Sequence, residues 1–165
     1  MTLTEINKNF YEKDGQLYWK FGNGNNIVKD SLAGCFNKEY YVVKYKKRGY
    51  RLHRLLYQIY NNLEEIPEGF LVDHKDRDTT NNSKENLRLC TKSENNCNRS
   101  LNNNNILGIK NIYIKNNKGY SYYYVKVAKN KKTISKLFPL TELENAINWR
   151  DQMLQELHGE FSSKG

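Results

Sequence analysis

Histidine is scarce in this chain, with three among 165 residues. One of them, His74, stands directly after Asp73 and ahead of a stretch crowded with asparagines, VDHKDRDTTNNSKENLRLCTKSENNCNRS (72–100). Those residue types at those spacings suit phosphodiester hydrolysis. Such a reaction needs a deprotonated water, a cation to offset charge growing on the phosphorane and the leaving oxygen, and a group that holds the base in line. An imidazole titrates near neutrality, so His74 can take the water's proton. Asp73 and Asn95 offer hard oxygen ligands to a divalent ion that keeps its other positions for water and phosphate, which points to Mg²⁺, with Mn²⁺ as the other choice. Asn86 can fix the loop or the imidazole through an amide that donates and accepts without adding charge.

The elements that must position these groups follow from periodicity. FLVDH (70–74) and NLRLC (86–90) read as two short strands that can pair antiparallel, joined by a polar loop with no apolar residue. TKSE (91–94) has the form of a capping box, Thr91 with Glu94, and starts a helix at about Lys92 that carries Asn95 and Asn98. Strand, polar loop, strand and helix make a ββα unit. Upstream, residues 10 to 52 alternate Tyr/Val/Trp-rich runs with Gly/Asn punctuation, including GNGNN (22–26), as a small antiparallel sheet does. Leu52, Leu55, Leu56 and Ile59 then mark an amphipathic helix ending at Asn61-Asn62. Downstream, SLNNNNILG breaks the pattern and contains an Asn-rich linker (101–107). Three more strands are expected at NIYIK, YSYYYVKVA and TISKLF, with turns at NNKG and KNKK. A second capping box, Thr141 with Glu144, opens a helix whose stripe is Leu143, Ala146, Ile147, Leu154 and Leu157 and whose stop is Gly159.

The expected architecture is therefore α+β: an N-terminal sheet and helix with a ββα core (1–100, core 69–100), the linker, and a three-stranded sheet with one helix (108–165). Composition narrows the function. Lys and Arg number 27 against 18 acids, a formal +9 with pI near 9.3, which suits a partner that is a polyanion. No apolar run is long enough to span a bilayer and the N-terminus lacks the apolar centre of a signal peptide, so a soluble, cytoplasmic protein with no membrane partner is expected. Three scattered cysteines disfavour a disulfide framework. Without a Cys-x-x-Cys pair, Cys90 and Cys97 with His74 give three ligands at best, and no structural zinc is expected.

The stretch resembles the HNH endonucleases of the phage and intron-encoded homing type. The matching residues are Asp73-His74, Asn81-Asn82, Glu85-Asn86-Leu87-Arg88, and Thr91 followed by Glu94-Asn95, with Asn95 where the family often has His. The resemblance implies His74 as general base, Asn86 as the residue orienting it, Asp73 and Asn95 as metal ligands, and products ending in 3′-hydroxyl and 5′-phosphate. LHRLLYQIY (52–60) is similar to the His-Arg segment that precedes the motif in this branch, which makes His53 and Arg54 candidates for phosphate contact, beside Arg88; packing or capping is the other reading of His53. The C-terminal part resembles an AP2-type DNA-binding domain through ELHGEFS (156–162) and NILGIKNIYIKNNKGYSYYYVKV, with Ser135-Lys136 before Phe138 departing from the pattern. Lys110, Lys115, Tyr122, Lys126 and Lys132 are its candidate contacts to double-stranded DNA. Tyr122 to Tyr124 are expected to divide between core and surface by strand alternation. The rival expectation is a DNA-binding regulator with a vestigial nuclease core. One active site per chain leaves both a nicking monomer and a homodimer open.

Overall fold

The computed structural model describes residues 1–22, 26–98, 105–129 and 132–162. The chain forms two compact units, Met1–Lys92 and Ser93–Gly165. The interior of the GNGNN stretch (residues 23–25), most of the Asn-rich linker (101–104) and the centre of the KNKK turn (130–131) lie outside the described residues.

The N-terminal unit opens with α1 (Leu3–Asn9), where the Thr2 hydroxyl accepts the Glu5 N–H at 3.2 Å. The sequence reading holds no helix here, because seven residues are too few to show a convincing period. Leu3, Ile6 and Phe10 are nonetheless buried along one side. β1 (Phe10–Lys13) and β2 (Gln16–Trp19) form a hairpin about Asp14-Gly15, both with positive φ (52° and 71°) as the strand-matching tight turn requires. β3 (Cys35–Asn37), β4 (Tyr40–Tyr45) and β5 (Arg48–Arg51) make a separate meander, so the single sheet expected over this region is two.

α2 (Leu52–Asn61) follows as expected and ends at Asn62 in the left-handed conformation, φ 51°. Its apolar stripe packs Leu52, Leu55 and Leu56 into a core with Ile6, Phe10, Leu17, Val43, Val72 and Leu87. β6 (Phe70–His74) and β7 (Leu87–Thr91) pair antiparallel in the expected register region, and α3 (Lys92–Cys97) begins where Thr91 predicts.

The C-terminal unit holds β8 (Ile112–Asn117), β9 (Tyr120–Lys129) and β10 (Lys132–Pro139), an antiparallel sheet with β9 in the middle, and α4 (Leu143–His158). Ile112, Val125, Phe138 and Ala146 form its core, flanked by Tyr123, Ile147 and Trp149. The second capping box does not form: the N-cap is Glu142, without a side-chain cap bond. The Glu142 N–H instead bonds the Pro139 carbonyl at 2.9 Å, which puts Thr141 inside a turn and delays the helix by one residue. The buried stripe also differs. It runs Ala146, Arg150, Leu154, His158, four residues apart, and Arg150 is accommodated because its Nη1 donates to the Lys110 carbonyl at 2.9 Å. Gly159 ends α4 at φ 52° and a short 3-10 turn (Gly159–Phe161) follows. Among the described residues no helix is long and apolar enough to cross a membrane.

Candidate active site

The β6–β7 register sets Asp73 opposite Arg88 and His74 opposite Leu87. Successive strand residues point to opposite faces, so the imidazole and the carboxylate leave β6 on different sides. The burial pattern agrees: Val72 and His74 are buried, with Asp73 between them only partly so.

On the inner side, His74 is 4% exposed and its ring lies edge-on to His53 of α2, centroids 4.9 Å apart, and beside Tyr40 of β4 at 6.4 Å. His53 is 3% exposed. Burial first, then the neighbouring His74, Arg51 and Arg54, push its pKa down to about 3. His53 is therefore a neutral packing ring against the imidazole, and the phosphate contact expected of it would need it at the surface. Arg54 is half-buried on the same helix.

The His74 ring is oriented by Asn82, whose Oδ1 lies 3.1 Å from Nε2. The Asn82 amide nitrogen donates to the Thr80 carbonyl at 3.3 Å, which fixes the oxygen toward the ring. An amide oxygen can only accept, so Nε2 carries the proton and Nδ1 is the ring's basic nitrogen. Asn82 itself is 4% exposed in an otherwise open loop. The Tyr60 hydroxyl of α2 donates to its carbonyl at 3.4 Å, and the Gly15 turn packs against its backbone.

Asn86 does the tethering that the sequence suggests, and does it to the loop. Its Oδ1 accepts the Asp76 N–H at 3.0 Å; its Nδ2 donates to Asp76 Oδ1 at 2.8 Å and to the Asn81 carbonyl at 2.7 Å. Asp76 is the hub, taking further bonds from Asn81 Nδ2 at 2.6 Å and the Asp78 N–H at 2.8 Å. Burial raises the Asp76 pKa, but the Asn81, Asn86 and Asp78 donors outweigh it and hold the carboxyl below its usual value. Asp78 repeats the device one turn on, accepting both the Thr80 N–H (2.9 Å) and hydroxyl (2.7 Å).

On the other side, Arg88 Nε and Nη2 both reach Asp73 Oδ2, at 3.1 and 3.0 Å, with side chains 10% and 11% exposed. Arg88, expected to face DNA, is thus engaged with the carboxylate expected to hold a metal. Asn95 lies half-buried on α3, in the C-terminal unit. Among the described residues no group of three or more His, Cys, Asp and Glu converges on a point. Mg²⁺ commonly takes only one or two protein oxygens and fills the rest with water and phosphate. A carboxylate oxygen and an amide oxygen, the donors of Asp73 and Asn95, are both hard and of the kind such an ion takes.

In the C-terminal unit, cross-strand pairing sorts the expected DNA contacts by face. Lys115 pairs with Tyr122, Tyr113 with Tyr124, and Ser135 with Lys126. These share the face opposite Val125, Val127 and Phe138, so Lys115, Tyr122 and Lys126 stand together on the open side, as the alternation expected for Tyr122 to Tyr124 implies. The Lys115 ammonium sits over the Tyr124 ring at 3.8 Å. Lys132 pairs with Lys129 and so belongs to the helix-bearing face, at the sheet's end. Lys110 precedes the sheet and its Nζ donates to the Cys97 carbonyl at 2.8 Å.

Asn82 and Asp76 are the site residues the sequence reading did not single out. Asn82 was visible as half of the Asn81-Asn82 pair, but a turn-forming asparagine and a buried one look alike in a sequence.

Residues 50–97 match the family model for HNH endonuclease. The chain is also 32% identical over 126 residues to an uncharacterized HNH endonuclease of Acanthamoeba polyphaga mimivirus, an alignment covering 76% of this chain and 63% of that relative. No solved structure matches the chain. The matched stretch contains α2, both strands of the hairpin, the asparagine-braced loop between them and α3. The likeness to HNH endonucleases therefore falls on residues 50–97, the segment that holds the hairpin and its braced loop.

Proposed function

We propose that this protein is a metal-dependent DNA endonuclease that hydrolyses phosphodiester bonds, with His74 as the general base. The observation that carries this reading is the buried Asn82–His74 bond inside the HNH-matched segment, because it presets the tautomer a base requires. Nδ1 accepts the proton of the attacking water, and Asn82 stabilises the imidazolium that results. Asn86 holds the loop that carries Asn82, through Asp76 and the Asn81 carbonyl. Asp73 and Asn95 are the residues that would hold the divalent ion, most simply Mg²⁺, with Arg88 keeping the Asp73 side chain in place. When bound, such an ion neutralises charge on the phosphate and the leaving oxygen.

The C-terminal unit supports the reading as an AP2-like duplex-binding module, whose basic open face of Lys115, Tyr122 and Lys126 adds sequence-independent attraction to the backbone. The cleavage products are 3′-hydroxyl and 5′-phosphate ends, and the setting is a virus or mobile element that homes into DNA, in keeping with the viral relative.

The test is supercoiled plasmid incubated with protein and Mg²⁺, with EDTA and with His74→Ala. Nicking or linearisation is expected from the parent, a loss of about 10²–10⁴-fold from the variant, and none in EDTA. Duplex binding is expected to survive the substitution. Binding by the parent with no strand breakage under any divalent ion would instead make the protein a DNA-binding regulator.

A further inference from the structure

The C-terminal unit contains a cavity of about 390 Å³ that the nuclease reading does not use. Lys110, Lys126 and Lys129 border it, together with His158, Asn96 and Tyr113, and no acidic residue lines it. Three ammonium groups around one concavity repel each other, an arrangement that is stabilised when an anion occupies the space. Two of these lysines are held in place by helix ends: Lys110 Nζ donates to the Cys97 carbonyl at the end of α3, and Lys129 Nζ to the Leu157 carbonyl near the end of α4. Their positions are therefore set by the backbone and not by rotamer choice at a free surface.

A second observation comes from His158. It is 6% exposed, and its Nδ1 is fully buried with no hydrogen-bond partner among the described residues. A buried polar atom left unpaired is destabilising, so the cavity wall is not fully satisfied as it stands. Burial, then Lys129 and Lys110, hold the ring's pKa below its ordinary value, so it adds no fourth charge to the empty cavity.

We propose that this cavity is a seat for one phosphate of a polynucleotide backbone. The ligand is a backbone phosphate and not a free nucleotide because the cavity is continuous with the basic face of the sheet. Tyr113 and Lys126 belong to both: they line the cavity and stand on the open side with Lys115 and Tyr122. A strand lying along that face reaches the cavity beside the start of β8 at Ile112, where β9 runs on paired with β10 only. Lys126 and Lys129 meet the phosphate's charge, and Asn96 donates from its amide. His158 lines the same cavity, and a small shift of its ring on binding would bring the buried Nδ1, in its protonated tautomer, to the phosphate.

The proposal rests on the DNA-acting reading above, and the experiment separates the two. Ala128 and Asn96 are exposed residues at the cavity wall, so Ala128→Glu and Asn96→Glu put a carboxylate into it without removing a described hydrogen bond. Asn148→Glu makes the same charge step on the exposed side of α4, away from the cavity. Binding of the full chain to a fluorescent duplex is measured in EDTA across a salt series. The two cavity variants are expected to lose about five- to tenfold in affinity and to lower the salt slope by about one, while Asn148→Glu changes neither appreciably. As a direct arm, inorganic phosphate is titrated into labelled protein, where the His158 ring resonances are expected to move in the parent and not in Ala128→Glu. If parent protein binds duplex and nicks plasmid but the cavity variants behave like Asn148→Glu, the phosphate seat is overturned and the nuclease reading stands. If the parent neither binds nor cuts any duplex, the nuclease reading fails and takes this proposal with it.

Discussion

The loop between β6 and β7 and the open face of the β8–β10 sheet are both polar and both candidates to meet DNA, yet they are built in opposite ways. In the loop, amides and carboxylates are spent on one another: Asp76 gathers Asn81, Asn86 and the Asp78 N–H, and Asn82 is sunk below the surface to hold one imidazole nitrogen. On the sheet, lysines and tyrosines stand in rows with few fixed partners, as with Lys115 over Tyr124. The difference follows from the task. A proton transfer needs one atom within hydrogen-bond reach of another, so its supports must be rigid. Attraction to a phosphate backbone acts over several ångströms and tolerates loosely placed charge.

The comparison makes removal of a single group costly in the hairpin and mild on the sheet. The largest effect is expected at Arg88→Ala. Asp73 would stay at a site only 11% exposed without the two guanidinium donors that Arg88 gives its Oδ2. Breaking such a buried pair costs about 3–5 kcal/mol, measurable by urea unfolding. A loss below about 1 kcal/mol, the value typical of exposed pairs, would show that the hairpin is no more rigid than the sheet.

Next comes the acid side of the stability curve. Burial holds the folded pKa of His53 at about 3, against 6.5 for an ordinary imidazole. Below pH 6.5 the unfolded chain binds the proton and the folded one does not, so stability is lost as pH falls from that value toward 3. With discount for relaxation, the loss between pH 7 and pH 4 is on the order of 2–3 kcal/mol. His53→Phe keeps a ring beside His74 and Tyr40 and removes the titration, and is expected to flatten that part of the profile by a similar amount. Equal pH slopes for parent and variant would remove the argument that this ring is held neutral.

Asn82 is the sharpest probe of the loop itself. Asn82→Ala deletes the acceptor for Nε2–H, and an unmet hydrogen bond of about 1–3 kcal/mol in the transition state corresponds to about 10–100-fold in kcat. Asn82→Asp retains an acceptor and is expected to keep most of the rate. Duplex affinity is expected to be unchanged in both. Were Asn82→Ala to weaken binding and leave kcat alone, the loop would be a contact surface and not a support.

How much of this was legible beforehand differs between the two regions for a physical reason. Spacing singled out Asp73, His74, Asn86 and Asn95 as candidates, and periodicity located α2, β6, β7, the three C-terminal strands and α4. Strand alternation also sorted Tyr122 to Tyr124 between faces. What spacing could not assign was who bonds whom inside the loop. Asn81, Asn82 and Asn86 are chemically identical, and only the path of the chain decides that Asn82 meets the ring while Asn86 meets Asp76. The Asp73–Arg88 pair was hidden for a related reason: the register of the hairpin, not the order of residues, sets the two opposite each other. Thr141 failed as a cap because the Pro139–Glu142 turn competes for the same backbone, which no local motif reveals.

The smallest effect is expected on the sheet, and there the smallness is the point. Lys115→Ala and Lys126→Ala each remove one exposed charge from the open face, with the backbone ladder intact. Each is expected to weaken duplex binding by severalfold at most and to lower the salt slope by about one, equally for every DNA sequence tried. The double variant should be close to additive, because the two lysines stand on different strands with no described contact between them. Strong non-additivity, or a loss confined to one DNA sequence, would mean that these side chains read base edges from fixed positions. The sheet would then be as rigidly specified as the loop, and the contrast between the two regions would fail.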